Sequence, residues 1–97
     1  MRLIIVINSA TASKDIRDAV TSFLESKGWE IWHWFEDLWL SANAPNDLDL
    51  EKLRDEIRSI PLLVARNTHV MVFGTNDKLR RAGWVPIPSI DWLMKHW

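Results

Sequence analysis

The side chains able to do chemistry fall into a few small groups. Asn8, Ser9, Thr11 and Ser13 follow or end an apolar run, Leu3 to Ile7, at a point where a strand would feed a helix. Backbone N–H groups and hydroxyls at such a junction can bind a phosphate. The same residues serve equally as a turn and a helix cap, and no glycine lets an anion approach the backbone closely. The histidines, His33, His69 and His96, have no helical or close metal-ligand spacing. His33 lies among tryptophans, where an imidazole can act as acid or base near neutral pH, and it can meet His69 across a sheet. Its bland alternative is a half-buried ring bonded to backbone or to a neighbouring side chain. No serine–histidine–acid order emerges with Ser9 or Thr11 as nucleophile. Glu36-Asp37 and Asp47 with Asp49 are paired carboxylates that turn chemistry and helix capping explain adequately. Lys78, Arg80 and Arg81 precede Trp84, and Arg66 is a further cation that can join them. Cations beside a ring suit phosphate and a stacked base, or else a solvated loop whose tryptophan packs inward.

These groups are positioned by alternating strands and helices. Trp29 to Ser41 holds four of the seven tryptophans in thirteen residues and reads as a hairpin turning at Glu36-Asp37. A two-residue turn pairs Phe35 with Leu38, Trp34 with Trp39, His33 with Leu40 and Trp32 with Ser41. Strand alternation then puts Ile31, His33, Phe35, Leu38 and Leu40 on one face and Trp32, Trp34 and Trp39 on the other. Both faces are apolar, so both need cover.

In chain order, Arg2 to Asn8 reads as a central strand buried on both sides. Ile16, Ala19, Val20, Phe23 and Leu24 make the stripe of a first helix, with Ser13 or Thr11 as N-cap and Gly28 as its stop. After the hairpin, Asp47 or Asp49 caps a second helix carrying Leu50, Leu53 and Ile57 inward. Pro61 ends it, and Leu62 to Ala65 packs as an irregular or one-turn segment. Thr68 to Phe73 is the fourth strand, and Gly74 to Asp77 a turn. Gly83 to Pro86 is a candidate short fifth edge strand, and Pro88 to Trp97 a C-terminal helix.

The order strand, helix, strand, strand, helix, strand is the split βαβ arrangement of an α+β, ferredoxin-like domain over residues 1–97, with a four-stranded antiparallel sheet. Its two main helices cover one sheet face. Three buried tryptophans represent on the order of 10 kcal/mol of transfer free energy, comparable with the whole stability of a small domain. The other face carries Trp32, Trp34 and Trp39 or else Ile31, His33, Phe35, Leu38 and Leu40. It therefore predicts a homodimer, with Trp32, Trp34 and Trp39 as the expected interface and fold-back of the C-terminal helix as the competing cover.

Composition bounds the partners. The chain has 97 residues, 47% of them hydrophobic, and a net charge of -1, so no global field draws it to nucleic acid or anionic membrane. It has no cysteine, which excludes disulfides, thiolate zinc sites and cysteine nucleophiles and fits a reducing cytoplasm. No apolar run is long enough for a membrane span, and the reading is of a soluble cytoplasmic protein.

The element order, Trp32-x-Trp34, Asp37-Leu38-Trp39-Leu40, Ala82-Gly83-Trp84-Val85-Pro86 and Asp91-Trp92-Leu93 together resemble a set of small ferredoxin-like proteins, some labelled SinR-family. These are similar in organisation to the CRISPR-associated endoribonuclease and spacer-adaptor subunit and to the virulence-associated D-type toxins. The resemblance to the adaptor subunit implies a dimer in which an aspartate ending each first strand holds a divalent metal for phosphodiester hydrolysis. Asn8 stands at that position here, and a neutral amide is a poor magnesium ligand. The expectation is a dimeric, non-catalytic module in nucleic-acid-associated, defence or toxin-antitoxin-type biology, with no metal site and no cofactor. Two alternatives stand beside it: a nuclease built on Asn8, Ser9 and His33, with Mg2+ entering only there, and a protein-interaction module of phage or plasmid origin.

Overall fold

The computed structural model describes residues 1–8, 13–77, 79 and 81–97. Ser9, Thr11, Lys78 and Arg80, all singled out above, lie outside the described residues.

Strand β1 (Arg2–Ile7) leads to helix α1 (Lys14–Ser26), the hairpin β2 (Glu30–Phe35) and β3 (Leu38–Ala42), then α2 (Leu50–Arg58) and a single turn α3 (Pro61–Ala65). Strand β4 (Val70–Thr75) and α4 (Ile87–His96) complete the chain. The sheet runs β2-β3-β1-β4 with every neighbouring pair antiparallel, which is the ferredoxin-like α+β arrangement.

Local chemistry accounts for the helix limits. Asp49 caps α2 by accepting the Lys52 backbone N–H at 3.1 Å. Gly28, at φ 78°, turns the chain out of α1, and its N–H donates to the Glu25 carbonyl. Pro61 cannot continue α2, but it opens α3 because its fixed φ and missing N–H suit a first helical position.

Cross-strand register sorts the two faces. Leu3 opposite Ser41, Ile5 opposite Trp39 and Val72, and Ile7 opposite Val70 look toward the helices. There they meet Ile16, Val20 and Leu24 of α1, Leu53 and Ile57 of α2 and Leu63 of α3 in one core. Ile4 opposite Leu40 and Phe73, and Val6 opposite Leu38 and Met71, look the other way.

Four expectations are corrected. The hairpin keeps Phe35 opposite Leu38, but a bulge between Trp32 and Phe35 puts Trp32 opposite Leu40 instead of Ser41. One extra residue in β2 reverses the side-chain alternation beyond it. Trp39 therefore joins Ile31 and His33 beneath the helices, while Trp32 shares the opposite face with Phe35, Leu38 and Leu40. The three tryptophans expected on one surface are divided between two.

Strand β4 runs two residues later than Thr68 to Phe73, so Gly74 and Thr75 are strand and not turn. Glycine fits there because a Cβ would stand 2.7 Å from Met1 Sδ and 3.1 Å from both Leu3 and Leu50. Gly83 to Pro86 forms no strand; it crosses the second face instead of extending an edge, and Pro86 caps α4.

Finally, α4 itself folds over that second face. Trp32 is only 4% exposed and Trp97 is buried with it. Intrachain cover thus accounts for Trp32 and the surface around it, while Phe35 of the same strand stays half exposed. Among the described residues no helix is long and apolar enough to cross a membrane.

Candidate functional site

His33, the side chain best suited to acid–base work, is held at both nitrogens. Nε2 lies 2.8 Å from the Glu36 carbonyl oxygen, which can only accept, so this nitrogen carries the proton. Nδ1 then accepts from the Thr21 hydroxyl at 3.5 Å, and the same hydroxyl oxygen accepts the Trp39 indole N–H at 2.9 Å. The His33 ring stacks on Trp39 with centroids 4.2 Å apart and planes 15° apart. One tautomer satisfies the whole chain from indole to hydroxyl to imidazole to carbonyl. This polar network fixes the wide Trp39 ring in the core, and its hydroxyl is the hinge. Thr21→Val keeps the side-chain shape but leaves the Trp39 N–H and His33 Nδ1 without their partner. A loss of about 1–2 kcal/mol in urea unfolding is expected, and an unchanged midpoint would show that the relay is not formed.

The hairpin tip is similarly committed. Arg17 of α1 reaches Asp37 through Nε at 3.2 Å and Glu36 through a terminal nitrogen at 3.3 Å, and the Asp37 carbonyl accepts the Ile7 N–H at 3.0 Å. The paired carboxylates clamp the hairpin to α1 and to the end of β1. Sequence reasoning paired them with the turn but missed Arg17, whose spacing from them gives no local signal.

Asn8 donates its backbone N–H to the His69 carbonyl at 3.0 Å. It follows β1, with β3 standing between it and His33, and neither His33 nitrogen is directed to it. His33 lies in the edge strand β2 and His69 immediately precedes the opposite edge strand β4, roughly 14 Å away at three strand spacings, so the expected meeting across the sheet does not occur. His96 lies 3.9 Å from Glu30 and beside Trp92. Among the described residues no three histidine or acidic side chains gather at metal-binding distance.

The cations separate as well. Arg66, the C-cap of α3, donates to the Ser13 hydroxyl at 2.6 Å at the start of α1, on the helix side of the sheet. Arg81 lies across the sheet from it, with a terminal nitrogen 3.6 Å from Met94 Sδ of α4. Trp84, 100% exposed, belongs to the Arg81 side.

What remains is the part of the second face that α4 leaves uncovered. Met71, Val6, Leu38 and Phe35 form a row across all four strands, one residue per strand. Met71 is 57% and Phe35 54% exposed, and Phe73 beside Met71 is 51% exposed. The row contains no charged or hydrogen-bonding side chain. Continuous with it, α4, Leu79 and residues 81–85 border an open cleft of about 600 Å³ over Ile4, Trp32 and Leu40, with Leu38 and Phe35 of the row on its wall.

No protein family, curated protein or solved structure matches the chain.

Proposed function

We propose that this chain is a non-catalytic module that works as a homodimer, pairing through the uncovered row Met71, Val6, Leu38 and Phe35. The observation that carries this reading is the row itself: an unbroken, uncharged band over the full width of a sheet whose other half is already roofed by α4. Trp84 presents about 200 Å² of ring surface, and the half-exposed Phe35 and Phe73 about 100 Å² each. With Met71, Met94 and Ile90 added, the apolar area exceeds the roughly 300–600 Å² patch of an ordinary monomer and approaches the ~800 Å² that each partner contributes to a standard interface. A second copy offers a matching band by symmetry, with no charge to desolvate on either side.

The non-catalytic part of the reading is supported by how the reactive groups are engaged. His33 is bonded at both nitrogens, Glu36 and Asp37 face Arg17, and Asn8 stands where the resembling nuclease family would have an aspartate. Sheet-to-sheet pairing also fits the resemblance to the spacer-adaptor subunit group. The nucleic-acid setting of that group has one described cation beside an exposed ring, Arg81 next to Trp84, while Arg66 is engaged with Ser13.

Light scattering at tens of micromolar is expected to give a species of twice 11.4 kDa. Met71→Lys places a charge in the row at an exposed position, so the fold is kept and the species should revert to one chain. A wild-type protein that stays at a single chain's mass defeats the proposal.

A further inference from the structure

The row alone is too small to hold two copies together. Phe35 and Phe73 each leave about 100 Å² in water and Met71 somewhat less, whereas a stable dimer takes ~800 Å² from each partner. More apolar surface lies across the cleft, where Ile87, Ile90 and Met94 form an exposed stripe on the flank of α4. The largest single piece is Trp84 on the cleft rim, 100% exposed and carrying about 200 Å². A flat contact between two rows would leave that ring and the cleft beside it in water.

Ring and cleft are complementary in shape. The cleft, about 600 Å³, is roomy enough for an indole and opens to solvent over Ile4, Trp32 and Leu40. Trp84 does not fill it from within its own chain: the neighbouring Val85 is half-buried on the cleft wall, while the Trp84 ring is wholly exposed. Pro86, with φ at -58°, starts α4 directly afterwards, so a short connection presents the ring with little freedom to lose on binding. On the receiving wall Arg81 lies 3.6 Å from Met94 Sδ, and guanidinium and thioether both favour contact with an aromatic ring.

We propose that each Trp84 inserts into the cleft of the partner copy, with two reciprocal insertions per dimer. This rests on the pairing proposed above and names what completes its interface. A two-fold axis lying in the face, midway between Trp84 and the cleft, carries each ring onto the other copy's cleft. Leu38 and Phe35 belong to both the cleft wall and the row, so insertion and row contact form one continuous surface. A tryptophan seated in a desolvated apolar pocket is the kind of contact that dominates the affinity of an interface.

Light scattering over a dilution series reads the pairing, and substitutions at exposed positions keep the far-ultraviolet circular dichroism unchanged. Trp84→Ala should weaken pairing about thirtyfold. Ile90→Glu, which puts a charge on the cleft wall for the incoming ring to desolvate, should do the same. An equimolar mixture of the two variants should pair more tightly than either alone, because Trp84 of the second still enters the intact cleft of the first. The emission difference between wild type and Trp84→Phe should be blue and protected from acrylamide in the paired protein, and red after dilution to single chains. A wild-type dimer that Trp84→Ala leaves unchanged, or variants that do not recover on mixing, overturns the insertion while the row stands or falls with Met71→Lys. A wild type of one-chain mass overturns both, and so does a single chain whose Trp84 stacks on a single-stranded oligonucleotide instead.

Discussion

Replacing Trp39 with alanine is expected to lower stability by about 4 kcal/mol, enough to leave a domain of this size largely unfolded near physiological temperature. Trp39 is the largest fully buried side chain, set between Ile5 and α1 on the central side of the helix layer. Its removal forfeits the stack on His33 and the bond to Thr21, and it leaves a cavity that α1 cannot close because Arg17 anchors the helix to the hairpin tip. Trp39→Phe separates the terms. It keeps one aromatic ring in the core, removes the indole N–H together with part of the ring volume, and is expected to cost about 1–2 kcal/mol. Urea unfolding followed by circular dichroism reads both variants. A loss under 1 kcal/mol for Trp39→Ala would place the ring outside the core and would undo the face assignment on which the pairing row depends.

That assignment also marks where the sequence was legible. The order of elements followed from spacing alone: the stripe Ile16, Val20, Leu24 had to be a helix, and consecutive apolar residues in β1 required cover on two sides. Phe35 opposite Leu38 followed from the position of the hairpin turn. The bulge in β2 did not, because nothing in Trp32-His33-Trp34-Phe35 marks which residue will be extra, and a single insertion exchanges the two faces. The fate of Trp39 and Trp32 was therefore open to a one-residue error. Gly74 was read as a turn since glycine punctuates turns in general; its actual cause, crowding by Met1, Leu3 and Leu50, is a tertiary contact that local pattern does not carry. The cation group fared similarly. Arg66 and Arg81 are close in sequence, yet β4 and the crossing segment deliver them to opposite sides of the sheet.

Deleting residues 87–97 tests the other half of the architecture. With α4 gone, Trp32, Ile4 and Leu40 lose their roof, and Trp32 alone returns about 200 Å² to water, an upper bound of about 5 kcal/mol. The freed chain no longer has to be ordered, a gain that the lost burial of Trp97 and the lost hydrogen bonds of α4 oppose. A net loss of about 2–3 kcal/mol is expected, together with stronger self-association, because the bare band would then widen to the whole sheet face. Trp92 and Trp97 leave with the helix, so Trp32 must be isolated by comparing Trp32→Phe in the full and shortened chains. The difference spectrum should shift to the red and become open to acrylamide when α4 is missing. If it stays blue and protected in a shortened chain of one-molecule mass, some element other than α4 covers Trp32. The division of the face into a roofed half and a pairing half would then be lost. If the shift appears, the width of the band available for pairing is set by α4, and detaching that helix enlarges the interface and opens the cleft beneath it in one movement.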